Sequence, residues 1–146
     1  MGLLYSVVTL DAECAEWLDD EGVSHPQPVP DPRFPTPREV AVALQELSGY
    51  SVELDADQSS GEWLAHIASL SSPEMWASLR VRDYGSDDVP HKIYFPKGWP
   101  EVVFAVVRCL TSCCGPLVVV DDSSMRPVVV CATDSVEDLL LRYGEV

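Results

Sequence analysis

The residues able to do chemistry are few and scattered. Asp55-Ala56-Asp57-Gln58-Ser59 opens like a calcium-binding loop, with oxygen ligands at alternate positions. Such a loop needs glycine at its sixth position for a sharp turn and a bidentate glutamate at its twelfth. This chain has Ser60 and His66 there, so the match fails at its two most demanding places. Cys109 and Cys113 share one face of a helical stretch and Cys114 adjoins them, yet no second ligand pair follows at zinc-like spacing. The expectation is no bound metal and no cofactor, with the cysteines acting as small apolar core residues.

Acid, base and nucleophile are equally dispersed. His25, His66 and His91 lie in three different settings, none beside a Ser or Cys in a known catalytic arrangement. There is no glycine-rich phosphate loop and no lysine of the Walker type. Asp121-Asp122 precedes Ser123-Ser124 at what reads as a hairpin tip, where such residues form turns through local hydrogen bonds. Neighbouring acids entering a turn point to different sides, which makes them poor partners for a shared proton. These residues imply a protein that is not an enzyme.

Charge says more. Nine basic against 24 acidic residues give a net charge of -15. Nucleic acid and anionic membrane are bound largely through Lys and Arg, so neither is expected as a partner. A basic protein would instead be steered inward. Simple solubility is the bland explanation of the same acidity. The acids cluster at Asp19-Asp20-Glu21, Asp55 and Asp57, Asp87-Asp88, Asp121-Asp122 and Glu137-Asp138, with Trp63, Trp76 and Trp99 between them. An aromatic anchor with a charged rim is the composition of a binding hot spot. An ordinary core with solvated loops has that composition too. Candidate binding residues are Asp19, Asp20, Glu21, Asp87, Asp88, Trp99, Asp121 and Asp122.

Positioning these groups requires elements, and the stretch 93–130 is the most legible. Ile93-Tyr94-Phe95 reads as a short strand that Pro96-Lys97-Gly98-Trp99 turns. Pro100 then suits a first helical position and Glu101 the positive end of a helix dipole. Residues 102–114 are apolar on nearly every side, as in a buried helix, and Gly115-Pro116 stops it. The runs 117–120 and 128–131 are β-branched and continuous, which predicts a buried hairpin.

Upstream, residues 3–10 predict a strand covered on both sides. Asp11 caps a helix reaching Asp20, whose acidic C-terminal end opposes the dipole. That conflict hints at use by something outside the chain, or marks a frayed, solvated end. Five prolines between Ser24 and Pro35 predict an extended path across the surface, with an aromatic groove as its other possible use. Thr36-Pro37-Arg38-Glu39 combines a capping box with a first-turn proline and opens a helix over 37–48, which Gly49 ends. Strands follow at 50–54 and 63–70, with a polar turn at 55–61 between them, although Ala65, His66 and Ala68 leave a helix as the alternative over 63–70. The segment 75–83 alternates cleanly, Ala77, Leu79 and Val81 inward and Ser78, Arg80 and Arg82 outward. A polar loop over 85–91 leads to Ile93, and Asp134 with Glu137 predicts a capping box opening a last helix over 135–143.

These elements make one α+β domain, 1–146, with a mainly antiparallel sheet and helices near 11–20, 37–48, 100–114 and 135–143. No run of 18 apolar residues is present, so no membrane span is expected. Residues 2–10 lack the basic start and small-residue cleavage site of a signal peptide. Five cysteines, an odd count placed mostly at core positions, imply a reducing, cytoplasmic setting.

One resemblance adds to this reading. The run Phe95-Pro96-Lys97-Gly98-Trp99-Pro100-Glu101, the helix after it, Cys114-Gly115-Pro116-Leu117 through Asp122, and Arg126-Pro127-Val128 resemble small stand-alone bacterial immunity proteins. Those neutralise the toxin of a polymorphic or contact-dependent system. The resemblance covers about a quarter of the chain by pattern and acidity, with no diagnostic motif, and assigns no residue as a contact. It implies a one-to-one complex with a basic cognate toxin in the cytoplasm. A motif-free small enzyme or ligand-binding domain and an accessory subunit are the alternatives; oligomeric state is left open.

Overall fold

A helix apolar all round must be enclosed, and α3 (Pro100–Cys114) is the enclosed helix around which the other elements close. The computed structural model describes residues 4–57, 62–82, 90–123 and 127–144. In chain order these form β1 (Tyr5–Thr9), α1 (Ala12–Asp20), α2 (Pro37–Gln45), β2 (Tyr50–Asp57), β3 (Glu62–Ser69), β4 (Trp76–Arg82) and β5 (Ile93–Gly98). After α3 come β6 (Leu117–Asp121), β7 (Val128–Val130) and α4 (Val136–Gly144). The strands make one sheet in the order β2-β3-β4-β5-β1-β6-β7, each pair of neighbours antiparallel. The fold is α+β. β5 and β6 both flank β1, and α3 connects them across it.

Each face of the sheet follows from strand alternation. Tyr5 and Val7 of β1, Ala65 and Ile67 of β3, Ala77, Leu79 and Val81 of β4, and Leu117 and Val119 of β6 face α2, α3 and α4 in one apolar core. Val118 and Val129 point the other way and meet Leu10, Ala15 and Leu18 around α1. The helix-bearing layer is thus three helices deep on one side, while α1 covers the β1-β6-β7 end of the other.

Several boundaries differ from expectation, each for a local reason. β5 runs on through Pro96-Lys97-Gly98 instead of turning. One extra residue on β5 is absorbed between Ser78 and Arg80 of its partner, and a bulge is where proline can stay in a sheet. Gly98 lies tight against β4: a Cβ there would stand 2.6 Å from the Cβ of Ala77. β2 reaches Asp57, so Asp55, Ala56 and Asp57 pair with Leu64, Trp63 and Glu62 and are not a turn. α2 ends at Gln45, short of 48, and Gly49 takes φ +85 to send the chain into β2. Ser135, not Asp134, caps α4, accepting from the Asp138 N–H at 3.1 Å. The loop expected at 85–91 falls mostly outside the described residues.

The capping box on α2 is present, Thr36 accepting from Glu39 N–H and Glu39 from Thr36 N–H. Glu39 also takes a two-pronged hydrogen bond from Arg33, 2.6 and 2.7 Å, and so ties the proline-rich segment to the helix. The Arg33 guanidinium first, then the Thr36 backbone, outweigh desolvation and hold this carboxyl down at about 2.

Candidate functional site

The first turn after α1 creates the site. Gly22, at φ +71, lets the chain reverse, Gly22 N–H returning to Asp19 and Val23 N–H to Leu18. This is the Schellman arrangement, and Val23 packs into the same small cluster as Leu18. Asp19, Asp20 and Glu21 are left exposed at the helix end. The acids that oppose the helix dipole are therefore set by a well-formed stop, not by fraying.

Beyond that turn lies a cleft of about 620 Å³ between residues 22–26, strand β7 and the turn leading into α4. His25 stands on one wall, and Cys131, Asp134 and Arg142 on the other. The His25 side chain is 14% exposed. Its Nδ1 faces the Pro26 carbonyl and its Nε2 an oxygen of Asp19, each at 2.8 Å. Both neighbours only accept, so the ring satisfies both by carrying two protons. The Pro26 carbonyl first, then the Asp19 carboxylate, accordingly raise the His25 pKa.

The opposite wall is internally neutralised. Arg142 donates to both oxygens of Asp134, at 3.0 and 2.8 Å, and to the Val129 carbonyl at 3.1 Å. Asp134 also accepts the Cys131 N–H at 2.9 Å. Arg142 above all holds the Asp134 carboxyl below its ordinary range. Burial, and then the charge of Asp134, push the Cys131 thiol up. A thiol shifted this way stays protonated at neutral pH, the reverse of an activated nucleophile. His25, with both nitrogens engaged, is not placed to act as its base. Among the described residues no group of three or more His, Cys, Asp or Glu side chains could hold a metal ion. All five cysteines are free thiols, their pKa values raised mainly by burial.

The remaining candidates are not drawn together here. Asp121 is the last residue of β6 and makes the expected local turn contact, but it is 3% exposed, not set out on an open hairpin tip. It lies opposite Tyr5 in the sheet and accepts the Ser123 N–H at 3.0 Å. The Tyr143 phenol is raised by burial, then by its contacts with Asp121 and Tyr5. This aspartate belongs to an internal network, because its parity along β6 turns it toward the helices. Asp122 is exposed, but its carboxylate accepts the Leu4 N–H at 3.2 Å, away from the cleft lining. Trp99 is half-buried against the core, where it precedes α3 and donates its backbone N–H to Trp76. Asp87 and Asp88 lie outside the described residues.

Sequence reasoning named the exposed acids at the end of α1 and missed the walls of the cleft. His25, Asp134 and Arg142 carry no shared motif; the six-residue step from Asp19 to His25 gains meaning only once Gly22 folds the chain back. No described helix is long and apolar enough to cross a membrane. The chain matches none of the protein-family models, curated proteins or solved structures with which it was compared.

Proposed function

We propose that this protein is a non-catalytic acidic module that binds a basic protein, and that it serves as a bacterial immunity protein occluding a cognate toxin. One observation carries the reading: Asp19, Asp20 and Glu21 are exposed together at the end of α1, directly before Gly22, where the cleft lining begins, in a chain of net charge -15. Exposed acids on a rigid helix end steer a basic surface during encounter, and the cleft offers depth for a side chain of the partner. The resemblance of 93–130 to stand-alone immunity proteins is what suggests the more specific role.

The test is capture on immobilised protein from the native lysate at low and at high salt. A single basic protein, released at high salt, is the expected result. Changing Asp19, Asp20 and Glu21 together to Lys is then expected to slow association about tenfold while changing dissociation much less. An acidic partner, or binding indifferent to salt and to these acids, overturns the proposal. The cleft volume favours a second reading, a small-ligand site, since such sites span roughly 300–1,000 Å³. A ligand whose affinity survives the triple change and falls with Arg142→Ala would support it.

A further inference from the structure

We infer that the free edge of β2 is a docking site for a basic extended segment, which would add to the sheet as an eighth strand. The backbone register supplies the donors and acceptors. Leu70 donates its N–H to the Gly49 carbonyl at 2.9 Å, and β2 pairs with β3 without a break from Tyr50 opposite Ser69 to Asp57 opposite Glu62. Antiparallel pairing alternates, so residues 51, 53, 55 and 57 direct their backbone groups to β3. The N–H and C=O groups of Tyr50, Val52, Leu54 and Ala56 therefore point outward, and no described residue bonds to them.

Proteins guard such edges with short strands, bulges, prolines or charged side chains, and the charges of β2 are all acidic, which repels another acidic strand and admits a basic one. β7, at the other edge, is three residues long. β2 is eight residues long and contains no proline, lysine or register shift. Its exposed side chains select what can join. Ser51, Glu53 and Asp55 are exposed on one face, and Leu54, 53% exposed, lies on the other with Val52. An added strand with lysine or arginine beside Glu53 and Asp55, and apolar residues beside Val52 and Leu54, matches both faces at the two-residue period. A second copy of this chain would set acids against acids, in a molecule already at -15. The occupant is thus a basic segment of another protein.

This rests on the proposed role as receptor for a basic protein, and it is tested separately. The probes are two seven-residue peptides, one alternating lysine and valine, the other glutamate and valine. Amide hydrogen exchange is read residue by residue on the full chain. The lysine peptide is expected to slow exchange at Val52 and Leu54 by about tenfold or more, and the glutamate peptide to leave it unchanged. Leu54→Pro removes an outward N–H without touching the β3 ladder and is expected to abolish protection while cooperative melting remains. Glu53→Lys with Asp55→Lys, which keeps the backbone intact, is expected to reverse the peptide preference. No protection, equal protection by both peptides, or peptide-free protection that grows with protein concentration would each overturn the assignment. A captured basic partner that leaves β2 unprotected removes the edge site and spares the proposed role. Protection by the lysine peptide with no basic partner in the lysate does the opposite.

Discussion

The two faces of the sheet carry the same alternation and meet different fates. On one, Tyr5, Phe95, Ile67, Leu79 and Val119 are sealed under α2, α3 and α4, with Phe104 and Tyr143 edge to face at 5.7 Å above them. On the other, α1 covers the β1-β6-β7 end, and the side chains of β2, β3 and β4 include exposed Glu53, His66 and Arg80. His66 stacks on Trp76 at 5.2 Å, and Arg80 pairs with Glu62 at 3.1 Å, both on this second face. An antiparallel sheet can leave one face to water because the backbone groups of its inner strands are satisfied within the ladder. The lesson is a division of labour: the helix-covered face supplies stability, and the second face, with the end of α1 and the edge of β2, has surface available for recognition.

Placing a charge on either face breaks or keeps that contrast, with the largest effect expected. Val106→Asp in α3 and Val7→Asp in β1 each put an unpaired carboxylate among fully buried side chains. Either is expected to abolish the cooperative unfolding transition, since the cost of several kcal/mol rivals total stability. Ser6→Asp, one residue from Val7 and exposed on the opposite face, is expected to change stability by no more than about 0.5 kcal/mol. Urea melts followed by Trp fluorescence compare the three. Loss of the transition in Ser6→Asp would show that the second face is covered.

A middle-sized effect lies in the strap joining the two sides. Glu39 holds Arg33 and the α2 N-terminus, and its folded value of about 2 lies below the ordinary 4.5. A depressed carboxyl contributes stability above its unfolded value and loses it as pH falls, here between about 4.5 and about 2. Glu39→Gln is expected to cost on the order of 1–2 kcal/mol near neutral pH, discounted because the ion pair is partly solvated. The gap from wild type should close in urea melts toward about pH 2. A gap unchanged across that range would mean the ion pair contributes nothing and the cap alone matters.

The smallest effect sharpens the picture of the α1 side. His25 has a raised pKa, so its contribution is fully present below about 6.5 and lost as pH rises through the higher folded value. Titration of the imidazole by NMR is expected to give a value above 6.5, and Asp19→Asn to lower it. An unshifted midpoint in both proteins would mean that the 22–26 turn is not held by this side chain.

Much of the architecture was legible because its signals are local. The all-round apolarity of 102–114, the Thr36-to-Glu39 capping box and the alternation of Ala77, Leu79 and Val81 are each decided within a few residues. The errors fell where a neighbour decides. Asp55 and Asp57 read as turn residues because aspartate is rare in strands, yet β3 supplies their ladder. Pro96 reads as a breaker until the bulge opposite Leu79 excuses its missing N–H. Asp134 reads as a cap, but Arg142, eight residues later, claims its carboxylate.

By itself the sequence determined where the chain must be helical or extended, which stretch must be enclosed, and the sign of the molecule's field. These follow from short-range sterics, periodicity and a count of charges. Tertiary structure alone decided that Asp121 turns inward beside Tyr5, that His25 faces Asp134 and Arg142 across a cleft, and that β2 ends the sheet. Strand order and the parity of each strand settle which side chain meets water, and both depend on pairings between residues far apart in the chain.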